Sequence, residues 1–279
     1  MKQISILGCG WLGLPLAKAL LQNGFLVNGS TTSSEKLAVL ENSGIRPFQI
    51  TLESDSISGN IEAFLQGSKI LIIDIPPKLR GNSKDPLNAL GMSFIGKIET
   101  LIPFIEKSEI ENVLFVSSTS VYGDDNSIIT EETEPHPETE SGNQLVHTEQ
   151  LLQRNPNFKT TVLRFGGLIG EVRHPIHFLA GRTNIENPNA PINLIHQEDC
   201  IGIILEILRY SQNEKSVWGE TFNGVAPFHP SRKEYYTQKA IELNLALPEF
   251  NYQLPTFGKI VLSSKVENFL GYSFTKTHL

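Results

Sequence analysis

Seven short β-rich apolar runs, helical patterns between most of them, and a glycine-rich turn joining the first run to the first helix predict a doubly wound α/β fold. The runs are Gln3 to Leu7, Phe25 to Ser30, Arg46 to Leu52, Lys69 to Ile75, Asn112 to Ser117, Thr160 to Phe165 and Glu220 to Asn223. Several are apolar throughout, which suits a parallel sheet with right-handed crossovers and helices on both faces. In the first unit, Ile4-Ser5-Ile6-Leu7 leads into Gly8-Cys9-Gly10-Trp11-Leu12-Gly13, and a helical pattern follows over Leu14 to Asn23. Pro15 is compatible with that helix, because the N–H it lacks falls among the first four, which have no intrahelical partner. Asn23-Gly24 supplies a stop.

After Phe165 the alternation breaks down. Gly166 to Pro191 has little periodicity, and Pro227 to Leu279 carries short helices and turns. The helix Asp199 to Tyr210 and the Glu220 strand lie between these pieces, and Asp199 is suited to cap that helix. The expected organisation is therefore a dinucleotide-binding core over 1–165 and a smaller C-terminal substrate lobe over 166–279, interleaved with core elements at 199–210 and 220–223. The acidic stretch Thr130 to Glu140 reads as a solvated loop.

Composition narrows the function. With 39% hydrophobic and 19% charged residues, the 279-residue chain can bury a sizeable core. Twenty-three Lys and Arg against thirty Asp and Glu give a net charge of -7, the wrong sign for broad contact with nucleic-acid backbones or anionic lipid. A small-molecule substrate is the expected partner, with no nucleic acid and no membrane. The longest apolar run, Ile70 to Ile75, is interrupted by Asp74 and falls far short of the roughly 20 residues of a membrane span. No apolar leader precedes the first strand, and two cysteines, Cys9 and Cys200, make no disulfide framework. A cytoplasmic location is expected.

The Gly8–Gly13 turn has the spacing and context of a Rossmann dinucleotide site: Gly8 for the tight turn, Gly10 for close approach of backbone to a pyrophosphate, Gly13 for helix–strand packing. Trp11 and Leu12 complete the loop at the helix N-terminus, where amides favour an anion. An NAD site commonly carries an acid about 20 residues on. Instead the chain reads Asn28-Gly29-Ser30-Thr31-Thr32-Ser33-Ser34-Glu35-Lys36. The hydroxyls of Ser30, Thr31 and Thr32 would accept a 2′-phosphate without charge repulsion, which tilts the expectation to NADP, with NAD as the alternative. The same residues serve equally well as turn and capping hydroxyls. Pro76, after Asp74-Ile75, is placed to shape the wall beside the adenosine half. Cys9 reads as a small packing residue.

A second constellation, Ser117-Ser118-Thr119-Ser120-Val121-Tyr122-Gly123, ends the fifth strand. With Leu163-Arg164-Phe165-Gly166-Gly167, Arg173-His174-Pro175 and Asn193-Leu194-Ile195-His196-Gln197-Glu198-Asp199, it resembles the extended short-chain dehydrogenase/reductases of the NAD-dependent epimerase/dehydratase superfamily. The resemblance implies a catalytic hydroxyl at Ser118, nicotinamide contacts at Ser117, substrate contacts around Arg173 and His174, and allows a homodimer. It also exposes a departure. The family's Tyr-x-x-x-Lys pair falls on Ser141 and Leu145, so neither residue of the pair stands at its place. Loss of a general acid/base costs on the order of 10²–10⁴ in rate. An intact glycine turn and strand-end serine without the pair is similar to the atypical members, in particular the YeeZ-like group, for which NAD(P) binding is implied.

Tyr122 is a candidate surrogate acid, against a structural tyrosine. His174 and His177 share i, i+3 spacing, but the intervening Pro175 and the lack of a nearby Cys or Glu cluster speak against a metal. The expected function is an NAD(P)-dependent oxidoreductase or epimerase acting on a small carbonyl or hydroxyl compound, sugar-derived in the family. The alternative is a non-catalytic NAD(P)-binding module that reports redox state to a protein partner.

Overall fold

A computed structural model describes residues 2–77, 92–125, 127–211 and 217–277. Among them, seven strands form one sheet: β1 Gln3–Leu7, β2 Leu26–Thr31, β3 Arg46–Gln49, β4 Ser68–Ile73, β5 Asn112–Ser118, β6 Lys159–Phe165 and β7 Thr221–Gly224. Their spatial order is β7-β6-β5-β4-β1-β2-β3, and every neighbouring pair is parallel. The helices are α1 Gly13–Gln22, α2 Leu37–Asn42, α3 Ile61–Leu65, α4 Met92–Lys107, α5 Glu140–Gln153, α6 Ile176–Leu179, α7 Gln197–Tyr210, α8 Arg232–Glu242 and α9 Ser264–Leu270. The chain is a doubly wound α/β protein of Rossmann type. It runs outward from β1 to β3, then returns to lay β4 on the other side of β1. Ligands of such sheets settle at that reversal, outside the carboxyl ends of the strands.

Alternation along each strand builds two cores. Ile4, Ile6, Ile72, Leu114 and Leu163 face α1 and α7, whose Leu16, Leu20, Ile203 and Ile207 are fully buried against them. Leu71, Ile73, Val113 and Phe115 face the other way, onto Phe64 of α3, Ile98 and Leu101 of α4, and Leu145 and Leu152 of α5. Period-2 strands covered on both faces thus explain the apolar runs. Each such side chain stabilises the fold by roughly 1.5–3 kcal/mol, and truncating Leu20 to Ala is expected to cost about 2–5 kcal/mol. Ser5 is one of the polar residues buried in the strands. Its hydroxyl donates to the Phe64 carbonyl at 2.6 Å and pairs with Ser68 at 2.9 Å, so the buried oxygen is satisfied.

The run Arg46 to Leu52 splits, because Ile50 leaves the sheet and Thr51–Leu52 forms a small antiparallel pair with Ile57–Ser58. Beyond β6, a separate small core of Ile169, Ile176, Ile192, Leu194, Tyr235, Tyr236 and Ala240 gathers α6 and α8 into a lobe at the carboxyl end of the sheet. Strand pairs Gly167–Ile169 with Leu194–His196, and Ile128–Ile129 with Ile260–Val261, join it to the core. Asp199 is not the cap of α7. His196 fills that place, accepting from the Glu198 N–H at 3.3 Å. The fully buried Asp199 carboxylate instead clamps the C-terminal segment, accepting from Tyr272 Oη at 2.8 Å, the Thr275 N–H at 2.8 Å and the Lys276 N–H at 3.1 Å. No helix among the described residues is long and apolar enough to cross a membrane.

Candidate functional site

The turn after β1 is fixed by its own glycines. Gly8 has φ +106°, and a Cβ there would collide with the Asp74 carbonyl and lie 2.9 Å from Ile75 Cγ2. A Cβ on Gly13 would collide with the Gly8 carbonyl oxygen and sit 3.0 Å from Asp74 Oδ2. Gly10 differs, for a Cβ on it meets nothing within 4 Å. Packing therefore demands glycine at 8 and 13 but leaves position 10 open, as close approach of a ligand to bare backbone would require. The Gly8 N–H donates to Ser30 Oγ at 2.9 Å and the Cys9 N–H to the Ser30 carbonyl at 2.8 Å, so β2 holds the turn. Among the described residues, nothing accepts from the Trp11 and Leu12 N–H groups, which lead into α1. These are the orphan donors that bind phosphate at helix N-termini.

A cavity of about 660 Å³ opens from this turn along the ends of β1, β2 and β4. Gly8, Gly10, Ser30, Thr31, Thr32 and Pro76 all border it. Lys36 borders it too, at the end where the β2 hydroxyls stand. Leu12 contributes only backbone, since its side chain lies in the core. Trp11 is half-buried, its carbonyl accepting from Gln197 Nε2 at 2.6 Å and its ring lying 4.9 Å below the Arg173 guanidinium. The residues present suit a dinucleotide: an uncovered glycine, free amides, and hydroxyls with a lysine at the far end. A nicotinamide coenzyme held there would supply a hydride donor or acceptor.

Sequence reasoning missed Asp74, which forms part of the cavity floor under the turn. Removal from water pushes its carboxyl up to about 7, against the Gly13 N–H and the Arg173 charge, which pull it down. An acid at the carboxyl end of a strand beside the reversal was the available signal. Cys9 is packed over Gly29, and burial pushes its thiol up to about 12, so it is no thiolate at neutral pH.

Ser118 ends β5 and borders a second cavity of about 490 Å³, walled by the lobe. Its Oγ accepts from the Ser120 N–H at 3.1 Å, which fixes the hydroxyl at the head of a short 3₁₀ turn. Neighbouring Ser117 turns the other way, donating to Glu149 Oε1 at 2.5 Å. Tyr122 is also engaged with neighbouring side chains. It is 2% exposed, receives a 2.7 Å bond from Arg164 Nη1, and donates to Asn223 Oδ1 at 3.0 Å. Arg164 in turn grips Glu149 at 2.6 Å. Alternation of β5 explains the pattern: Ser117 and Ser118 must face opposite ways. Tyr122 is a structural member of a buried network, and burial raises its phenol further from useful acidity.

Both ring nitrogens of His174 have partners within the lobe. Its Nδ1 accepts from the Ile176 N–H at 3.1 Å and its Nε2 pairs with Tyr235 Oη at 2.8 Å. Burial, with Lys239 and His177 adding to it, pushes the imidazole down to about 4, so it is neutral and holds α6. Arg173 is exposed over the Trp11 ring beside the glycine turn and is not among the residues that line the second cavity. Ser141 lies in the first turn of α5, and Leu145 is buried in the core one turn on.

Residues 4–215 match the NAD dependent epimerase/dehydratase family. The chain is 33% identical over 277 residues to Protein YeeZ of Escherichia coli strain K12, covering 98% of this chain and 96% of that protein. Its fold is similar to UDP-glucuronic acid 4-epimerase from Bacillus cereus in complex with NAD, with TM-score 0.78 and 19% identity over 98% of this chain and 91% of the other. UDP-N-acetylglucosamine 4-epimerase from Bacillus cereus is similar at TM-score 0.72 and 16% identity, over 99% and 94% of the two chains. Sequence match, parallel sheet and glycine turn agree: the chain belongs to the NAD-dependent epimerase/dehydratase family.

Proposed function

We propose that the protein is an NAD(P)-dependent oxidoreductase or epimerase acting on a small, sugar-derived carbonyl or hydroxyl substrate held in the second cavity. One observation carries the reading: the strand-end hydroxyl of Ser118 borders that cavity, at the same sheet edge from which the glycine-turn cavity opens. In this arrangement Ser118 donates a hydrogen bond to the reacting oxygen. The turn amides of Trp11 and Leu12 hold the diphosphate, and Gly10 lets it approach. Arg173 offsets phosphate charge from the rim. Lys36, with Ser30, Thr31 and Thr32, favours the 2′-phosphate of NADP over NAD. The solved neighbours that act on UDP-sugars support a nucleotide-sugar class. The test is a panel of UDP-sugars and small carbonyls with each coenzyme, with Ser118→Ala lowering turnover without changing coenzyme affinity. Unchanged turnover in that variant would remove Ser118 from the reaction.

A second reading, a redox-reporting module without turnover, is favoured by the burial of Leu145 where the family's lysine would stand. Tight coenzyme binding, no turnover across the panel, and a coenzyme-dependent partner affinity would support it.

A further inference from the structure

The second cavity needs a proton-transfer group, and Ser141 and Leu145 supply none. Among the described residues lining it, four side chains can carry charge: Asp124, Arg232, Tyr236 and Lys259. Two are spent on each other. Lys259 Nζ lies 3.0 Å from Asp124 Oδ1 and donates to the Tyr122 carbonyl at 2.6 Å. A guanidinium does not serve as a proton-transfer group. Tyr236 is left, 7% exposed, with a hydroxyl that makes no hydrogen bond among the described residues.

Arg232 lies one helical turn before Tyr236, on the same face of α8. Among the described residues no carboxylate stands within ion-pair distance of its guanidinium, and its buried Nε has no acceptor. A half-buried cation without a counter-charge, beside a phenol without a partner, is costly unless the two act on something the cavity receives.

We propose that Tyr236 is the proton-transfer residue of this site and that Arg232 is the cation that stabilises its phenolate, the pair being supplied by lobe helix α8 in place of positions 141 and 145. This rests on the reading given under Proposed function. Burial raises the phenol and the Arg232 charge opposes that rise, so Tyr236 is neutral at neutral pH and begins as an acid. In the reducing direction the substrate carbonyl carbon gains the hydride and its electron pair from the dihydronicotinamide, which is oxidised. The carbonyl oxygen gains the Tyr236 proton, and the phenolate left beside Arg232 recovers a proton from water. Oxidation of a hydroxyl is the reverse.

The other groups facing Tyr236 do not compete. Tyr235 has its ring centroid 5.2 Å away and its hydroxyl tied to His174. The neutral His174 ring meets Tyr236 edge-on at 6.5 Å.

The experiment uses the full chain and two readouts. With any UDP-sugar or small carbonyl turned over by the wild type, Tyr236→Phe is expected to lower kcat by about 10²–10⁴-fold while the NADPH dissociation constant changes less than about twofold. An unchanged kcat would overturn the proposal. Without reference to turnover, ¹³C-tyrosine NMR follows the Tyr236 ring, assigned by its loss in Tyr236→Phe. Arg232→Met is expected to move its titration upward by about one pH unit. A midpoint that does not move would overturn the pairing, even if no substrate is found. Failure of the wild type to bind NADPH would sink the reading under Proposed function, and the titration would still decide the Tyr236–Arg232 pair.

Discussion

Gly10→Ala and Gly13→Ala should separate what the glycine turn does for the fold from what it does for a ligand. At Gly13, the first residue of α1, a methyl group meets the backbone of Gly8, with its carbonyl carbon at 3.1 Å, and Asp74 Oδ2 at 3.0 Å. Overpacking against so rigid a neighbour costs roughly 1–3 kcal/mol. The lost unfolded-state freedom of glycine returns only about 0.4–1 kcal/mol. A net loss of about 1–2 kcal/mol follows, which at about 2–4 °C per kcal/mol for chains approaching this size lowers Tm by about 2–8 °C. At Gly10 nothing lies within 4 Å of the new methyl group, and the backbone is outside the left-handed region, so stability should hold or rise slightly. The same methyl stands where a diphosphate would approach the turn, and coenzyme affinity should fall at least about tenfold, or 1.4 kcal/mol. Urea unfolding followed by circular dichroism reads the first quantity, and titration of NADPH fluorescence the second. If Gly10→Ala unfolds as easily as Gly13→Ala, or binds NADPH like the wild type, the division of roles is wrong.

Asp74→Asn should flatten the pH dependence of stability. Between its ordinary value of 3.8 and its folded value of about 7, the native state holds a proton that the unfolded chain has released, so wild-type stability falls as pH rises across that window, by a few kcal/mol at most. Denaturation midpoints across the window check this, and NADPH affinity should weaken as pH passes about 7 in the wild type but not in the variant. Glu149→Gln leaves Arg164 buried without its counter-charge and should cost about 3–5 kcal/mol in urea unfolding. Tyr122→Phe should cost about 1–3 kcal/mol while leaving NADPH affinity unchanged, as befits a structural tyrosine. In Asp199→Asn, amide exchange at Thr275 and Lys276 should quicken by roughly tenfold or more, since bonds to a charged acceptor are worth about 1.5–3 kcal/mol.

The fold was legible because its signals are local. Each strand of the sheet is a short run whose two faces are both covered, and the glycine turn shows in its spacing alone, although the contacts that require Gly8 and Gly13 include Asp74 of a distant strand end. Strand boundaries moved where a tertiary event intervened, as when Ile50 leaves the sheet. The site was legible only in part. Ser118 and the glycine turn lie at strand ends, where sequence position and location in the sheet coincide. Tyr122, Ser117 and His174 looked chemical but found partners distant in sequence: Asn223 for the first, Glu149 for the second, Tyr235 for the third. Asp74 and Tyr236 carried no motif. Their significance comes from burial beside the turn and from a cavity wall assembled from five separate chain segments, neither of which periodicity can report. Asp199 kept a structural role, yet its partners lie in the C-terminal segment rather than at its own helix start.

The most direct measurement is a titration of the wild-type protein with NADPH, followed by quenching of tryptophan emission, because Trp11 stands at the rim of the glycine turn. Saturable quenching at micromolar coenzyme, retained in Trp218→Phe and lost in Trp11→Phe, is the predicted result. Absence of saturation up to millimolar NADPH and NADH alike would contradict the placement of a dinucleotide on this turn.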